Sequence, residues 1–212
     1  GENTIQAKLV DQKMKDTFTG GQGFGLWLLW NGGNDDTKWD SPENELVISG
    51  GPIGGIPAYP GSGKCPVVTV SPLTKSVIDS NSGGYFGPYL KFAGWDALEI
   101  QGKAAKDVII YINGETGQVT VEEAPLEPLD THLINRMITE MYANNPKAMR
   151  GISVISAGQA AAHVPICGVN VSYYDVRRNE VRIKQAARGG AGTVLRDKKI
   201  KATLLENNVA VH

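Results

Sequence analysis

The sequence is poor in the residue types that build metal clusters and covalent cross-links. Its 212 residues include two cysteines and three histidines. Cys65 and Cys167 do not form a C-x-x-C pair, and the histidines are scattered, so spacing encodes no zinc or iron-sulfur motif. A disulfide between the two cysteines stays open. Two separate buried thiols fit a chain without a secretion signal better.

The sequence also lacks a basic excess and a long apolar run. The formal net charge is −1, which leaves no positive field to neutralise nucleic-acid phosphates. The longest apolar stretch, residues 24–30, is too short to cross a bilayer, and the N-terminus lacks the basic-then-apolar pattern of a signal peptide. We therefore predict a cytoplasmic globular protein with neither nucleic-acid nor membrane partners.

Glycine, in contrast, is abundant, with 26 residues, and two glycine-rich turns stand half a chain apart. Gly83-Gly84 and Gly189-Gly190 are each followed by a similar segment that ends in a basic residue. This repeat predicts an internal duplication, with halves of roughly 1–105 and 106–212. Glycine lets the backbone approach an anion, and a helix start offers free amides. Two such turns therefore predict a ligand that carries two similar phosphate groups.

Basic residues accompany the glycines. Lys64 follows residues 61–63, Lys184 precedes the second turn, and Arg188 lies within that turn. The alternative interpretation, tight sheet turns with solvated lysines, stays open because isolated glycine motifs often match by chance. Residues 61–64 lack the spacing of a Walker loop, and a Rossmann fingerprint is absent. Spacing alone indicates no catalytic group of residues.

Apolar β-branched runs predict a sheet-rich α+β fold with few helices. The Asn113-Gly114 pair predicts a hairpin turn. Helices are expected over residues 24–30, 85–93 and 129–142. Asn81 or Ser82 is the expected cap of the second helix, and Asp130 lies near the start of the third. The predicted strands cover residues 4–10, 45–49, 66–71, 97–102, 107–112, 118–123, 151–156, 164–172, 180–184 and 201–206.

Several ordered segments together resemble the N-terminal domain of the aldehyde ferredoxin oxidoreductase family. Their order and spacing agree from about residue 20 onward. The resemblance implies two sheet-rich halves, related by a pseudo-two-fold axis, that form the base for a tungsten or molybdenum bis-pyranopterin whose phosphates are bridged by magnesium. The segments that carry it are residues 41–44, 51–55, 67–74, 81–87, 90–96, 101–104, 187–194 and 198–202.

The resemblance also implies the residues that hold the cofactor. The first turn would hold one pterin and its phosphate, and the second turn would bind the other half of the cofactor. Asn81 and Gln185 would reach magnesium through backbone carbonyls. Lys64 and Lys184 stand where the family commonly has arginine, and lysine lacks the planar fork that suits phosphate. The implied cofactor-binding set is Lys64, Asn81, Ser82, Gly83, Gly84, Lys184, Gln185, Ala187, Arg188, Gly189 and Gly190.

The implied function is a tungsten or molybdenum pterin oxidoreductase that oxidises aldehydes to carboxylic acids and passes electrons to ferredoxin. The family's [4Fe-4S] cluster and substrate pocket lie in later domains that this sequence does not contain. A cluster-carrying domain or subunit is therefore an expected partner, and a homodimer stays open. Two alternatives remain: the same cofactor in an enzyme that reduces aromatic thioesters, and a scaffold that binds a partner without cofactor. Substrate, metal and electron acceptor are not encoded in this stretch.

Overall fold

A computed structural model describes residues 3–124 and 130–207. The first half contains three helices and a four-stranded sheet. The helices are α1 (Gln12–Thr17), α2 (Gln22–Gly32) and α3 (Phe86–Phe92). The strands are β1 (Leu46–Ser49), β2 (Cys65–Val70), β3 (Val77–Ser82) and β4 (Ala97–Ile100), arranged in the order β3-β2-β1-β4 with every neighbour antiparallel.

The second half contains two helices and a six-stranded sheet. The helices are α4 (Thr131–Tyr142) and α5 (Ala191–Asp197). The sheet order is β6-β5-β10-β7-β8-β9, and only the β5–β10 pair is parallel. The strands are β5 (Val108–Asn113), β6 (Val119–Glu123), β7 (Ile152–Ser156), β8 (Val169–Asp175), β9 (Glu180–Ala186) and β10 (Ile200–Glu206), with short 3-10 turns at Ala148–Gly151 and Gln159–Ala162.

The two sheets share one order of elements. The run β9-β8-β7-β10 in the second sheet follows the same antiparallel pattern as β3-β2-β1-β4 in the first. α2 precedes β1 as α4 precedes β7, and α3 and α5 each connect the edge strand to the last strand of its set. The mixed α and β fold with two related halves is therefore as expected from the sequence. The duplication boundary near residue 105 stays a prediction.

Three clusters of buried side chains hold these layers together. The largest joins the two sheets and includes α3 and α5, with Phe86, Tyr89 and Leu195 almost fully buried. A second cluster lies under α4, and a third lies under α2. β1 and β2 are buried on both faces, because a helix covers one face and the central cluster the other. Burial on both faces explains their continuous apolar sequences, which do not alternate with polar residues.

Several predicted elements differ from the structure. Residues 4–10 form no strand, so that prediction is wrong, and the segment is largely exposed. The cap prediction for α3 is also wrong: Asn81 and Ser82 end β3, and the helix begins after Tyr85 without a side-chain cap. Asp130 does cap α4, since its carboxylate accepts the amides of His132 and Leu133 at 2.9 and 3.0 Å. Leu129, predicted to start that helix, lies outside the described residues.

Candidate functional site

The second glycine turn packs on the first sheet. The Ser71 hydroxyl donates a 2.7 Å hydrogen bond to the carbonyl of Gly189, and the Arg188 amide donates to the Ser80 hydroxyl at 3.2 Å. A Cβ atom at Gly189 would lie 2.8 Å from the Ile78 side chain. Glycine is therefore required for the turn to approach β3 this closely.

The first glycine turn packs, in return, on the second sheet. A Cβ at Gly83 would lie 4.0 Å from Cγ of Lys184, and one at Gly84 would lie 3.4 Å from Val171. Gly84 has φ +106°, a conformation that favours glycine. β3 and β9 also contact each other. Each turn thus lies against the edge strand of the other sheet, the first beside Lys184 of β9 and the second beside Ile78 of β3, along a β3–β9 junction.

The start of α5 is less available to an anion than the sequence predicts. The Gly192 amide donates to the Cys167 carbonyl at 2.8 Å, and the Thr193 amide donates to the Gly190 carbonyl at 2.9 Å. Gly190 has φ +78°, and a Cβ there would lie 2.1 Å from the Pro165 carbonyl oxygen. The chain itself therefore uses the Gly192 and Thr193 amides, and the cationic side chains beside the turn supply positive charge for an anion.

Three cations surround the turns without a carboxylate partner. Lys64, Lys184 and Arg188 are exposed, and none forms an ion pair within the described parts of the chain. Lys64 directly precedes Cys65, which pairs with Ser82 across the β2–β3 hairpin, so the lysine lies beside the first turn. Unpaired positive charge at glycine turns is what a phosphate ligand requires.

The backbone carbonyl of Asn81 is left without a donor from β2. Asn81 lies opposite Pro66 on an edge strand, and proline has no amide hydrogen to donate. In an antiparallel ladder, opposite residues exchange both hydrogen bonds or neither. If Pro66 and Asn81 form a hydrogen-bonded pair, Pro66 has no amide hydrogen to donate; if they do not, the Asn81 carbonyl points away from β2. In both cases the Asn81 carbonyl accepts no ladder bond from β2. It can therefore accept a bond from, or coordinate, a ligand.

Gln185 and Ala187 do not join the cationic surface through their side chains. They line a shallow cleft of about 420 Å³, on the face of β9 opposite Lys184, because side chains alternate along a strand. Asp130, Cys167 and Asn170 line the same cleft. The residues that the structure describes include no group of three histidine, cysteine or acidic side chains that could hold a metal ion. The magnesium assignment rests on backbone carbonyls and stays a prediction.

Sequence reasoning missed a buried charged cluster at the opposite end of the first sheet. Glu45 is 1% exposed, and burial, together with the neighbouring Glu99 carboxyl, raises the pKa of Glu45 to about 8. Burial lowers the pKa of Lys198 to about 8, and its ammonium donates to the Gly102 carbonyl at 3.0 Å. No sequence pattern marks these residues, because their burial comes from tertiary contacts: Gly32 of α2 lies against the Glu45 carboxylate, and Lys198 reaches the Gly102 carbonyl.

The paired glycine turns and their unpaired cations are typical of a ligand-binding domain built from two related halves. Residues 1–207 match the family model for the aldehyde ferredoxin oxidoreductase N-terminal domain, and the chain belongs to this family. The predicted family is thereby confirmed. No helix in residues 3–124 or 130–207 combines the length and hydropathy needed to cross a bilayer.

The curated relatives are named as oxidoreductases, and several of them as tungsten-containing ones. The chain is 34% identical over 209 residues to the tungsten-containing aldehyde ferredoxin oxidoreductase of Pyrococcus furiosus, which covers 98% of this chain and 32% of that protein. It is 26% identical over 212 residues to the aliphatic sulfonate oxidoreductase, WOR-like subunit, of the same organism, with 98% of this chain and 33% of that protein covered. The chain thus spans about a third of the length of these relatives.

A solved structure shares the fold. It is the active site complex BamBC of benzoyl coenzyme A reductase in complex with 1,5-dienoyl-CoA, with a TM-score of 0.81 and 29% sequence identity. The match covers 96% of this chain and 29% of that chain. Relatives of this domain are therefore found in more than one kind of oxidoreductase.

Proposed function

We propose that this chain is the domain of a tungsten oxidoreductase that holds the bis-pyranopterin cofactor. One observation carries the proposal. Each glycine turn packs on the edge strand of the other half, and three cations with no ion-pair partner among the described residues lie in or beside the turns at the β3–β9 junction. Two related turns that each carry cationic side chains match a cofactor with two phosphates.

The residues at the junction fit the cofactor's phosphates. Arg188 and Lys184 neutralise phosphate charge from the second half, and Lys64 does so from the first. Gly83 offers open space, since its nearest neighbour would be 4.0 Å from an added Cβ. The two lysines bind phosphate as point charges, without the bidentate geometry of arginine. We therefore propose a weaker grip on phosphate than an arginine pair would give.

Magnesium would be held through backbone carbonyls. The Asn81 carbonyl accepts no bond from β2, which leaves it available to a hard cation that prefers oxygen. Gln185, opposite Asn170 on the other edge strand, is the proposed second ligand. When bound, the metallocofactor supplies the redox chemistry, and the chain supplies placement and charge.

The proposed reaction is oxidation of aldehydes to carboxylic acids, with ferredoxin as the electron acceptor. It is supported by the names of the curated relatives, which share 34% identity with this chain. The chain spans about a third of those proteins, so the cluster and the substrate pocket would come from a further domain or subunit. A cytoplasmic location and a homodimer stay predictions.

A second candidate reaction is reduction of an aromatic thioester. The benzoyl coenzyme A reductase complex favours it, with a fold match over 96% of this chain. Anaerobically purified full-length protein separates the two by two assays: oxidation of benzaldehyde with an oxidised dye as electron acceptor, and reduction of benzoyl-CoA with a reduced low-potential dye as electron donor. Activity on the thioester alone would replace the aldehyde proposal.

The cofactor proposal is tested by reversing one charge. In the full-length protein, we expect Arg188→Glu to lower tungsten content at least about tenfold, because charge-assisted hydrogen bonds contribute about 1.5–3 kcal/mol. Arg177→Glu, in the exposed β8–β9 turn, makes the same charge change away from the junction and should keep the metal. Unchanged tungsten in Arg188→Glu would contradict the assignment. Wild-type protein that folds without metal would favour the cofactor-free scaffold.

A further inference from the structure

Lys184 is held by an aromatic ring. Its ammonium lies 5.7 Å from the centroid of the Tyr173 ring, within the range of a cation–π contact. Tyr173 stands on β8 opposite Arg182, and Lys184 stands on β9 opposite Val171, so the two are diagonal neighbours on one face. Among the residues that the structure describes, Lys184 has no ion-pair partner.

The Tyr173 ring is in turn held from the first half of the chain. The Tyr85 ring meets it edge-on, with centroids 5.9 Å apart and an interplanar angle of 78°. Tyr85 directly follows the glycines of the first turn and packs on Tyr89 at 5.6 Å. Tyr89 is 2% exposed, and its hydroxyl donates to the Arg150 carbonyl. The ring column Tyr173, Tyr85 and Tyr89 therefore fixes Lys184 relative to the first turn.

An aromatic ring restrains the Lys184 ammonium without cancelling its positive charge. A carboxylate in the same place would neutralise the ammonium and compete with an incoming anion. Restraint before binding also lowers the side-chain entropy that is lost when a phosphate binds. The contact thus prepares the lysine for an anionic ligand.

We propose that Tyr173 is a positioning residue that holds the Lys184 ammonium beside the first glycine turn for a phosphate group of the ligand. The phosphate ligand rests on the proposed function. The restraint itself rests only on the ring contacts, so the two claims can fail separately. Nothing in the glycine turns themselves identifies Tyr173, which lies on the hairpin before the second turn.

The test measures how readily Lys184 is acetylated in the full-length protein prepared without tungsten. A trace of N-hydroxysuccinimide acetate is added, and peptide mass spectrometry compares Lys184 with the exposed Lys147. We expect Tyr173→Leu to raise the relative acetylation rate about two- to fivefold, the factor that an exposed cation–π contact supplies. Tyr173→Phe, which keeps the ring, should match the wild type.

Inorganic pyrophosphate supplies the second readout. In the wild type it should protect Lys184 from acetylation, and Tyr173→Leu should raise the half-protecting concentration about two- to fivefold. Tyr142→Leu is the matched control. Tyr142, the last residue of α4, stacks on Tyr111 of β5 with the ring centroids 5.4 Å apart, and neither ring belongs to the column that holds Lys184. Tyr142→Leu should leave both readouts unchanged.

Two results would overturn the inference: equal acetylation and protection in wild type and Tyr173→Leu, or an equal change in Tyr142→Leu. If circular dichroism shows that Tyr173→Leu is misfolded, Tyr85→Leu replaces it and should shift acetylation in the same direction. Tungsten content of the native wild type is measured beside these assays. A metal-free wild type would remove the proposed cofactor, while the acetylation result would still decide the role of Tyr173.

Discussion

The conformation of Gly190 gives the sharpest test of how the second turn is built. Gly190 and Gly102 have nearly equal angles, φ +78° and φ +80°. A Cβ at Gly190 would lie 2.1 Å from the Pro165 carbonyl oxygen and 2.7 Å from Pro72, whereas Gly102 has nothing within 4 Å. The left-handed backbone costs a non-glycine residue about 1–2 kcal/mol at either site. The overlap at Gly190 adds about 1–3 kcal/mol more.

We therefore expect Gly102→Ala to lower the free energy of unfolding by about 1–2 kcal/mol and Gly190→Ala by about 2–5 kcal/mol. Urea unfolding of the 212-residue chain, followed by tryptophan fluorescence, measures both variants. Because the backbone angle is shared, their difference isolates the contact with Pro165 and Pro72. Equal losses in the two variants, within about 0.5 kcal/mol, would refute the reasoning.

Two further predictions concern buried ionisable groups. Because the pKa of Glu45 is raised in the folded state, its stabilisation is present below pH 4.5 and is lost as the pH rises toward about 8. We expect Glu45→Gln to remove about 1–3 kcal/mol of the fall in unfolding free energy between pH 5 and 7.5, whereas Glu115→Gln should keep that fall. Equal slopes in Glu45→Gln and wild type would contradict this. The range stops at pH 7.5 because Lys198, whose pKa burial lowers to about 8, contributes with the opposite sign above it. Cys65 is 2% exposed, and burial raises its pKa to about 12. Iodoacetamide at pH 8 should therefore label Cys167 well before Cys65. Comparable labelling rates at the two cysteines would contradict this, because they would show that the thiol of Cys65 is accessible.

Local patterns predict the apolar strands and the long helix well. β1 and β2 are runs of β-branched and apolar residues that strands favour, and the Asn113-Gly114 turn joins β5 and β6 as expected. α4 follows its helical period: Ile134 and Ile138 are buried against the sheet, while Leu133 and Met141 are exposed because only part of the helix faces the sheet.

Polar and short elements were missed because their stability comes from tertiary contacts. β3 carries Asp79, Ser80 and Asn81, which strands disfavour, and it forms because β2 and β9 offer partners on either side. α5 is only seven residues long and depends on contacts with both sheets. The strand predicted over residues 4–10 has a suitable sequence but forms no ladder.

The site was predictable in part. Glycine spacing located the two turns, and the basic residues beside them are exposed as a phosphate site requires. Sequence could not show that each turn packs on the opposite sheet, since that depends on the tertiary contact between β3 and β9. It also could not show that Gln185 faces the cleft, or that Tyr173 holds Lys184, because both follow from strand register.

The most direct test of the cofactor assignment is the metal content of the natively expressed, anaerobically purified full-length protein. Tungsten and molybdenum are measured by mass spectrometry against protein concentration. The account predicts about one metal atom per chain, as a single mononuclear cofactor would supply. A folded protein without tungsten or molybdenum would contradict the proposed cofactor.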